Sequence, residues 1–498
     1  MSVNFKQDRE FIKRCIAELS PENRKYLASL VRSKQGREHG STITPRGSGA
    51  GPLPLSYAQQ RLWFLDQLEP GSSSYNIPIA VQLTGDLDVK AMERTLGEII
   101  RRHESLRTTF RIVDGQPQQC ICPAPAFNLP VTDLRALTPD KRESNARRLI
   151  AEEAEQPFNL SVGPLLRIRL LRLDEDKHVL LVILHHIIID GWSTGVLMRE
   201  VGALYLAYSQ GLESPLKELP LQYADYAIWQ KEWLRGEVLQ RQLSYWKEQL
   251  SDAPRTLELQ TDYPRPARQS FIGARQHFVL PAGITDGLRR LSRSEGASLF
   301  MTLLAAFNVL LSHYSNTSDI VVGTPIANRN RRETEALIGF FVNTLVLRTK
   351  MRGDMSFSEL VRRVRKSTLE AYEHQDVPFE KLVEELRPRR NMGRSPLFQV
   401  MFALHNEAGT VLNLPGLQLS LMESPNATAK YELTLDMFES GSTLDCILEY
   451  SAALFSSATI KQISLYFECL LETVLANPHC RLSELRSLTL SRRQSALD

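Results

Sequence analysis

The chain has 498 residues, 43% of them hydrophobic, and a formal net charge of +3. That length exceeds one ordinary domain, so two cores or one paired architecture is expected, and the apolar content is enough to build it. The small charge and the lack of any basic tract interleaved with aromatics argue against a nucleic-acid partner, leaving arginines such as Arg389 and Arg390 as solvated surface. Met1 to Lys13 is polar, without an apolar signal core, and no run approaches a membrane-spanning length, so a cytoplasmic protein with no membrane span is expected. The six cysteines, at positions 15, 120, 122, 446, 469 and 480, show no metal or redox spacing beyond one Cys-Ile-Cys and read as reduced thiols.

In chain order, Ser20 is a predicted N-cap with Pro21 in the first turn, and Tyr26, Leu27, Leu30 and Val31 supply an apolar stripe. Ser33 to Pro52 have linker composition. The prefix is either a docking segment or a frayed tail. Further on, Arg167 and Arg169 alternate with Ile168 and Leu170 in a strand, Asp174 to Lys177 form a polar turn, and Val179 to Leu184 read as a buried strand. Directly after it comes His185-His186-Ile187-Ile188-Ile189-Asp190-Gly191-Trp192-Ser193. Leu197, Val201, Leu204, Tyr205 and Tyr208 then recur at helical spacing, which places the motif in a strand-to-helix loop. Trp233 to Leu250 predict one amphipathic helix, Ser298 to Tyr314 another, and Ile320 to Thr324 a buried strand.

Two imidazoles and a carboxylate at the end of an apolar strand suggest acyl transfer. In extended backbone the adjacent histidines point to opposite sides, so one works and the other is structural. Asp190 can return across the loop to pair with a cation, while Gly191 supplies the tight turn. A plain pair of core histidines is the bland alternative. A zinc site is disfavoured, because adjacent histidines rarely ligate one metal and no Cys or Glu stands at ligand spacing.

Other blocks accompany the motif. They are Ser56-Tyr57-Ala58-Gln59-Gln60-Arg61-Leu62-Trp63-Phe64-Leu65, Arg102-His103-Glu104-Ser105-Leu106-Arg107, Tyr223-Ala224-Asp225-Tyr226-Ala227-Ile228-Trp229-Gln230, Ile338-Gly339-Phe340-Phe341-Val342-Asn343-Thr344, His374-Gln375-Asp376-Val377-Pro378-Phe379-Glu380 and Arg394-Ser395-Pro396-Leu397-Phe398-Gln399. Together, and in this order, they resemble the condensation domains of nonribosomal peptide synthetases, which share a fold with chloramphenicol acetyltransferase. The resemblance runs from about Pro52 to about Ser487. It implies an α/β fold of mixed sheets with flanking helices, built as two chloramphenicol acetyltransferase-like halves that form a V around a central tunnel. Residues 1–51 are then a helical prefix and linker, 52–232 an amino-terminal half carrying the motif, 233–487 a carboxy-terminal half, and 488–498 a connector remnant toward an adenylation domain. No such domain follows, so the chain reads as free-standing or as a fragment.

By the same resemblance, the reaction is amide-bond formation between a donor acyl or peptidyl thioester and the α-amine of an acceptor aminoacyl thioester. Donor and acceptor peptidyl carrier proteins deliver both on phosphopantetheine arms, and no metal or covalently bound cofactor is implied. An upstream synthetase subunit, docking through residues 1–50, and a downstream adenylation domain are further expected partners. His186 is expected to contact the attacking amine, as base or as hydrogen-bond partner, with His185 in support. Asp190 should pair with Arg329, or second with Arg348. Gly191 and Trp192 offer amides for the oxyanion beside Ser193. Asn343 is placed near the tunnel, Trp63, Phe340 and Phe341 in core or tunnel wall, and Arg102, Glu104 and Arg107 in an internal ion-pair network. Both histidines are kept, unlike in heterocyclization domains, and Gly191-Trp192-Ser193 separates the chain from epimerization domains. Ile189 departs from the small polar residue often found before the Asp, which bears on donor preference. The blocks lean toward the subtype joining an L-donor to an L-acceptor, or the starter subtype taking a fatty acyl donor. A catalytically silent platform and a stand-alone acyltransferase using a soluble thioester are the competing classes.

Overall fold

The computed structural model describes residues 42–47, 51–388, 393–405, 414, 416–422 and 428–497, with side chains to 492. The predicted helix start at Ser20, the stripe to Val31, and Arg389 and Arg390 lie outside the described residues. The chain divides into two units, Met1–Thr44 and Pro45–Asp498. Of the first, only irregular chain at 42–44 is described.

The second unit contains two large mixed sheets, each with its own hydrophobic core. The strands of the first are β1 at Asn76–Gly85, β4 at Val131–Asp133, β5 at Leu166–Arg172, β6 at Lys177–His185 and β11 at Leu417–Leu421, in the order β11-β1-β6-β5-β4. Only β4 and β5 run parallel. β6 is its central strand, and every residue after Lys177 is buried, which is why it reads as an unbroken apolar run rather than an alternation. A separate hairpin pairs β2 (Thr108–Val113) with β3 (Gln116–Ile121). Helices α2 (Val89–Arg102), α3 (Pro139–Glu155) and α4 (Gly191–Ser209) flank the first sheet. The strands of the second sheet are β7 at Gly273–Leu280, β8 at Asp319–Ile326, β9 at Asn343–Lys350, β10 at Val400–His405, β12 at Leu433–Ser440 and β13 at Thr443–Ser451, in the order β7-β13-β12-β10-β8-β9. Its parallel pairs are β10 with β12 and β10 with β8. Helices α7 (Ala282–Ser294), α8 (Leu299–Ser315), α9 (Phe357–Glu373), α11 (Ser457–Ala476) and α12 (Leu482–Leu497) accompany it. The expected α/β class with flanking helices is the one the chain forms.

Three details differ from the sequence reading. The helix expected over Trp233 to Leu250 starts three residues later, as α6 (Gly236–Leu250), and Trp233 ends a separate helix, α5 (Tyr223–Trp233), because Leu234 turns into the core and Arg235 is extended at φ −146°, ψ 170°. The carboxy-terminal stretch also supplies parts of the first sheet's layer. β11 pairs with β1, and Ile338, Phe340 and Leu417 pack into the first core. Finally, α12 runs without a break through positions 487 and 488, where a connector was expected to begin. Among the described residues no single helix is long and apolar enough to cross a membrane; α7 and α8 qualify only as a pair bent by 106°, and their apolar residues lie in the second core.

Candidate active site

β6 ends at His185, and His186 opens a short 3-10 turn, His186–Ile188, before Asp190 caps α4. The two imidazoles consequently face different surroundings. His185 is 4% exposed, with its ring beside Tyr75 and edge-on to Phe158, and its Nδ1 accepts the Ile187 amide at 3.2 Å. Burial, then the neighbouring His186 and Lys430, pulls its imidazole down to about 3. His186 keeps part of its surface open, packs edge-on against Phe340 at 4.8 Å, and its amide donates to the Tyr75 carbonyl at 2.8 Å.

The His186 Nδ1 lies 2.8 Å from the Ile189 carbonyl. A carbonyl only accepts, so Nδ1 carries the proton and Nε2 is left with its lone pair. Burial, reinforced by Lys430, pulls the imidazole down to about 4. His186 is therefore neutral at physiological pH and offers an acceptor rather than a strong base. Gln59, from the helix α1 at Tyr57–Leu68, braces the turn by donating to the Ile187 carbonyl at 3.4 Å.

Asp190 is 2% exposed on its side chain and pairs with Arg329 at 3.3 Å, whose side chain is 1% exposed. Its Oδ1 also accepts the Ser193 amide at 2.8 Å, and its Oδ2 accepts the Phe341 amide at 2.8 Å. Ser193 Oγ lies 2.7 Å from Asp190 Oδ1, accepts from Arg329 at 2.6 Å and accepts the Gly339 amide at 3.1 Å. Arg329 in turn donates to the Thr334 and Leu337 carbonyls and lies 4.0 Å from the Phe341 ring. Asp190 thus fastens the Ile338–Phe341 segment to the start of α4, a scaffold role that engages both of its oxygens. Gly191 and Trp192 are exposed at the first turn of α4, with no hydrogen-bond partner for their amides among the described residues. The Trp192 indole is held by the Glu335 carbonyl at 3.0 Å.

The other expected residues are more scattered. Arg348 does not reach Asp190; it lies further along β9 than Asn343 and pairs with Asp319 at 2.6 Å and Asp252 at 2.5 Å. Asn343 clamps a loop: its amide donates to the Gln375 and Val377 carbonyls, and its Oδ1 accepts the Phe379 amide at 3.0 Å, positioning helix α10 (Phe379–Leu386). Arg102 binds Glu200 at 3.2 Å together with His103 at 2.9 Å, while Arg107 lies 3.8 Å from Glu104, which Arg46 also holds. These are structural braces, linked through Gln222, which donates to the Arg102 carbonyl and accepts the Glu104 amide. Phe340 and Phe341 are both buried, Phe340 with its ring on His186. The Ile189 side chain is fully buried in the first core, so its contribution to the site is its carbonyl. Sequence reasoning gave no role to Tyr75, the Ile189 carbonyl, Gln59 or Lys430. Gln59, Tyr75 and Ile189 carried a signal, by standing in motif blocks, and Lys430 carried none.

Two mixed sheets with a histidine-bearing turn at the end of the first sheet's central strand define the chloramphenicol acetyltransferase-like class. Within it, the family model described as "Condensation domain" matches residues 50–497, and the chain belongs to that family. It is 52% identical over 447 residues to one of the linear gramicidin synthase proteins of Brevibacillus parabrevis, covering 89% of this chain and 9% of that protein. Phosphinothricin tripeptide synthetase PhsC of Streptomyces viridochromogenes is 42% identical, covering 95% of this chain and 44% of the synthetase. The chain thus spans less than half the length of either relative. Among solved structures, the X-domain from teicoplanin biosynthesis has a TM-score of 0.80 at 30% identity, covering 89% of this chain and 99% of that one. The first condensation domain of the CDA synthetase shares the fold with a TM-score of 0.74 at 20% identity, covering 88% and 99%.

Proposed function

We propose that this chain joins a donor acyl or peptidyl thioester to the α-amine of an acceptor aminoacyl thioester, each brought on the phosphopantetheine arm of a carrier protein. The amine nitrogen attacks the thioester carbonyl, the C–N bond forms as the C–S bond breaks, and the amine's proton leaves with the thiol. The observation that carries this reading is the His186 ring, whose Nδ1 is committed to the Ile189 carbonyl so that Nε2 is presented from a partly open position. A neutral imidazole of such low basicity suits holding a neutral amine by one N–H and aiming its lone pair. Orienting two tethered reactants can supply roughly 7 to 11 kcal/mol of the barrier reduction. The exposed amides of Gly191 and Trp192 suit the developing oxyanion. The motif sequences support the L-donor, L-acceptor subtype or the starter subtype.

A second reading has its own observation. An X-domain with a TM-score of 0.80 to this chain was solved as a complex with OxyB, which favours a recruiting platform without chemistry. One experiment separates the two. Donor- and acceptor-loaded carrier proteins are mixed with wild type, His186→Ala and His185→Ala, and transfer is followed by intact-protein mass spectrometry. Condensation requires product from wild type and a loss of about 10²-fold or more in folded His186→Ala. Binding of both loaded carriers with no transfer across several substrate pairs would establish the platform.

A further inference from the structure

A lysine that the chemistry above leaves unused stands beside the histidines. Lys430 lies in the segment before β12, where Gln269 donates to its carbonyl at 2.7 Å. Its ammonium sits 4.6 Å from the centre of the Tyr75 ring. Tyr75 is the residue whose carbonyl accepts the His186 amide and whose ring borders His185. A cation from the second sheet's segment is thereby set against the strand end that bears both histidines.

Among the described residues no carboxylate is within ion-pair distance of Lys430. Glu449 on β13 is engaged by Arg275 on β7 at 3.0 Å, and Glu380 on α10 faces Arg61 on α1 at 3.4 Å. Tyr431 also faces Arg61, and Glu69 and Glu380 act on Tyr75 only from a distance. With Arg61 balanced by Glu380, Arg275 by Glu449 and Asp190 by Arg329, the surplus charge among the described residues near the two histidines is that of Lys430, set on the Tyr75 ring that borders His185. Burial takes its ammonium down to about 8, Glu449 opposing and Arg61 reinforcing, so it remains largely charged at neutral pH. A buried ammonium without a carboxylate costs stability that a Met at the same place would not.

We propose that Lys430 is an electrostatic positioning residue for condensation, keeping the acceptor α-amine beside His186 in its neutral, nucleophilic form. The inference rests on the condensation reading. An acceptor arriving as an ammonium would add a second positive charge close to the first, in a site where His186 keeps only part of its surface open. Like charges several ångströms apart in such a setting disfavour the protonated form by about one pK unit or more. The acceptor therefore gives its proton to solvent before attack, and its lone pair is available where Nε2 can orient it. The same field adds to the burial that keeps His186 unprotonated, against the opposing charge of Asp190.

The test is the pH dependence of kcat for amide formation between two loaded carriers, from about pH 6 to about pH 9, where an α-amine titrates. Wild type, Lys430→Arg, Lys430→Met and Lys430→Gln are compared. The acid limb of both uncharged variants should lie about one pH unit above that of wild type, making them roughly tenfold slower on the limb and equal to wild type beyond it. Lys430→Arg should track wild type. Both uncharged variants should melt no lower than wild type. Coincident limbs, or a loss of equal size at every pH, or Lys430→Arg behaving like Lys430→Met, would overturn the assignment. Should wild type itself form no amide at any pH, the condensation reading falls and takes this one with it; product with coincident limbs removes this one alone.

Discussion

At the scale of single residues, the motif separates into one presented group and several anchors. His186 is the presented group, because its Nδ1 is spent on a carbonyl of its own loop, and Asp190 is the principal anchor. Asp190 is paired, capped and hydrogen-bonded at once, to Arg329, Ser193 and Phe341. Asp190→Asn keeps the shape but leaves the Arg329 guanidinium buried without its counter-charge. Breaking one partner of a buried pair typically costs about 3 kcal/mol or more, and the loss should appear in urea unfolding together with a loss of transfer activity. An unchanged unfolding midpoint would mean the pair contributes nothing. The need of the loop carboxylate Asp190 for a cation was legible, and Arg329, 139 positions away, was the first candidate, with Arg348 second; the fold brings Arg329 to it. Lys430 was not legible, since a lone lysine in a polar stretch carries no periodicity and its significance arises only from what the fold sets beside it.

At the scale of elements, the strands and helices that bear the motif were readable from apolar runs and spacing, whereas the crossing strand was not. β11 is short, partly exposed and far along the chain from β1, and no local pattern announces such a partner. Its contact with β1 makes a sharp demand at Gly85, which has φ +131° and whose missing Cβ would stand 2.2 Å from the Gly416 carbonyl oxygen. Gly85→Ala should therefore release β11 from the sheet edge, accelerating hydrogen exchange at Leu417 to Leu421 while β6 stays protected. Retained protection of β11 would show that the strand adapts. Gly339 makes the corresponding demand within the motif region. A Cβ there would lie 2.0 Å from the Tyr223 ring, whose hydroxyl is 2.8 Å from Ser56 Oγ. Gly339→Ala has to displace either the ring or the segment that Asp190 holds, so it should lower both stability and transfer. Unaltered melting and unaltered rate together would rule out this close approach. The start of α6 was read three residues early for a related reason, since Trp233 continues the apolar spacing of Leu239 and Leu243 although the backbone breaks at Leu234 and Arg235.

At the scale of the whole molecule, the buried titrating groups make stability depend on pH at both ends. His185 and His186 have folded values of about 3 and about 4, below the roughly 6.5 of an unfolded histidine. Between those limits the unfolded chain binds protons that the native chain does not. Stability therefore rises with pH through this window and is lost as pH falls from about 6.5 toward 4, at about 1.4 kcal/mol per unit for each group. His186→Ala should flatten part of that loss and, on the condensation reading, lower transfer as well. Lys430 acts at the other end, because its folded value of about 8 lies below the ordinary lysine range. Above about 8 the native protein releases a proton that the unfolded chain keeps until about 10.4, so stability rises with pH across that interval as well. Below it the buried ammonium is a standing cost, partly offset by the Tyr75 ring. Lys430→Met should consequently gain on the order of 2 kcal/mol at neutral pH and lose the alkaline rise, both read from unfolding midpoints against pH. If Lys430→Met is instead destabilised at neutral pH, the lysine stem is packing the fold and its charge is incidental. If it is stabilised while transfer slows on the acid limb, the protein is carrying a destabilising charge at the point where an amine has to be neutral.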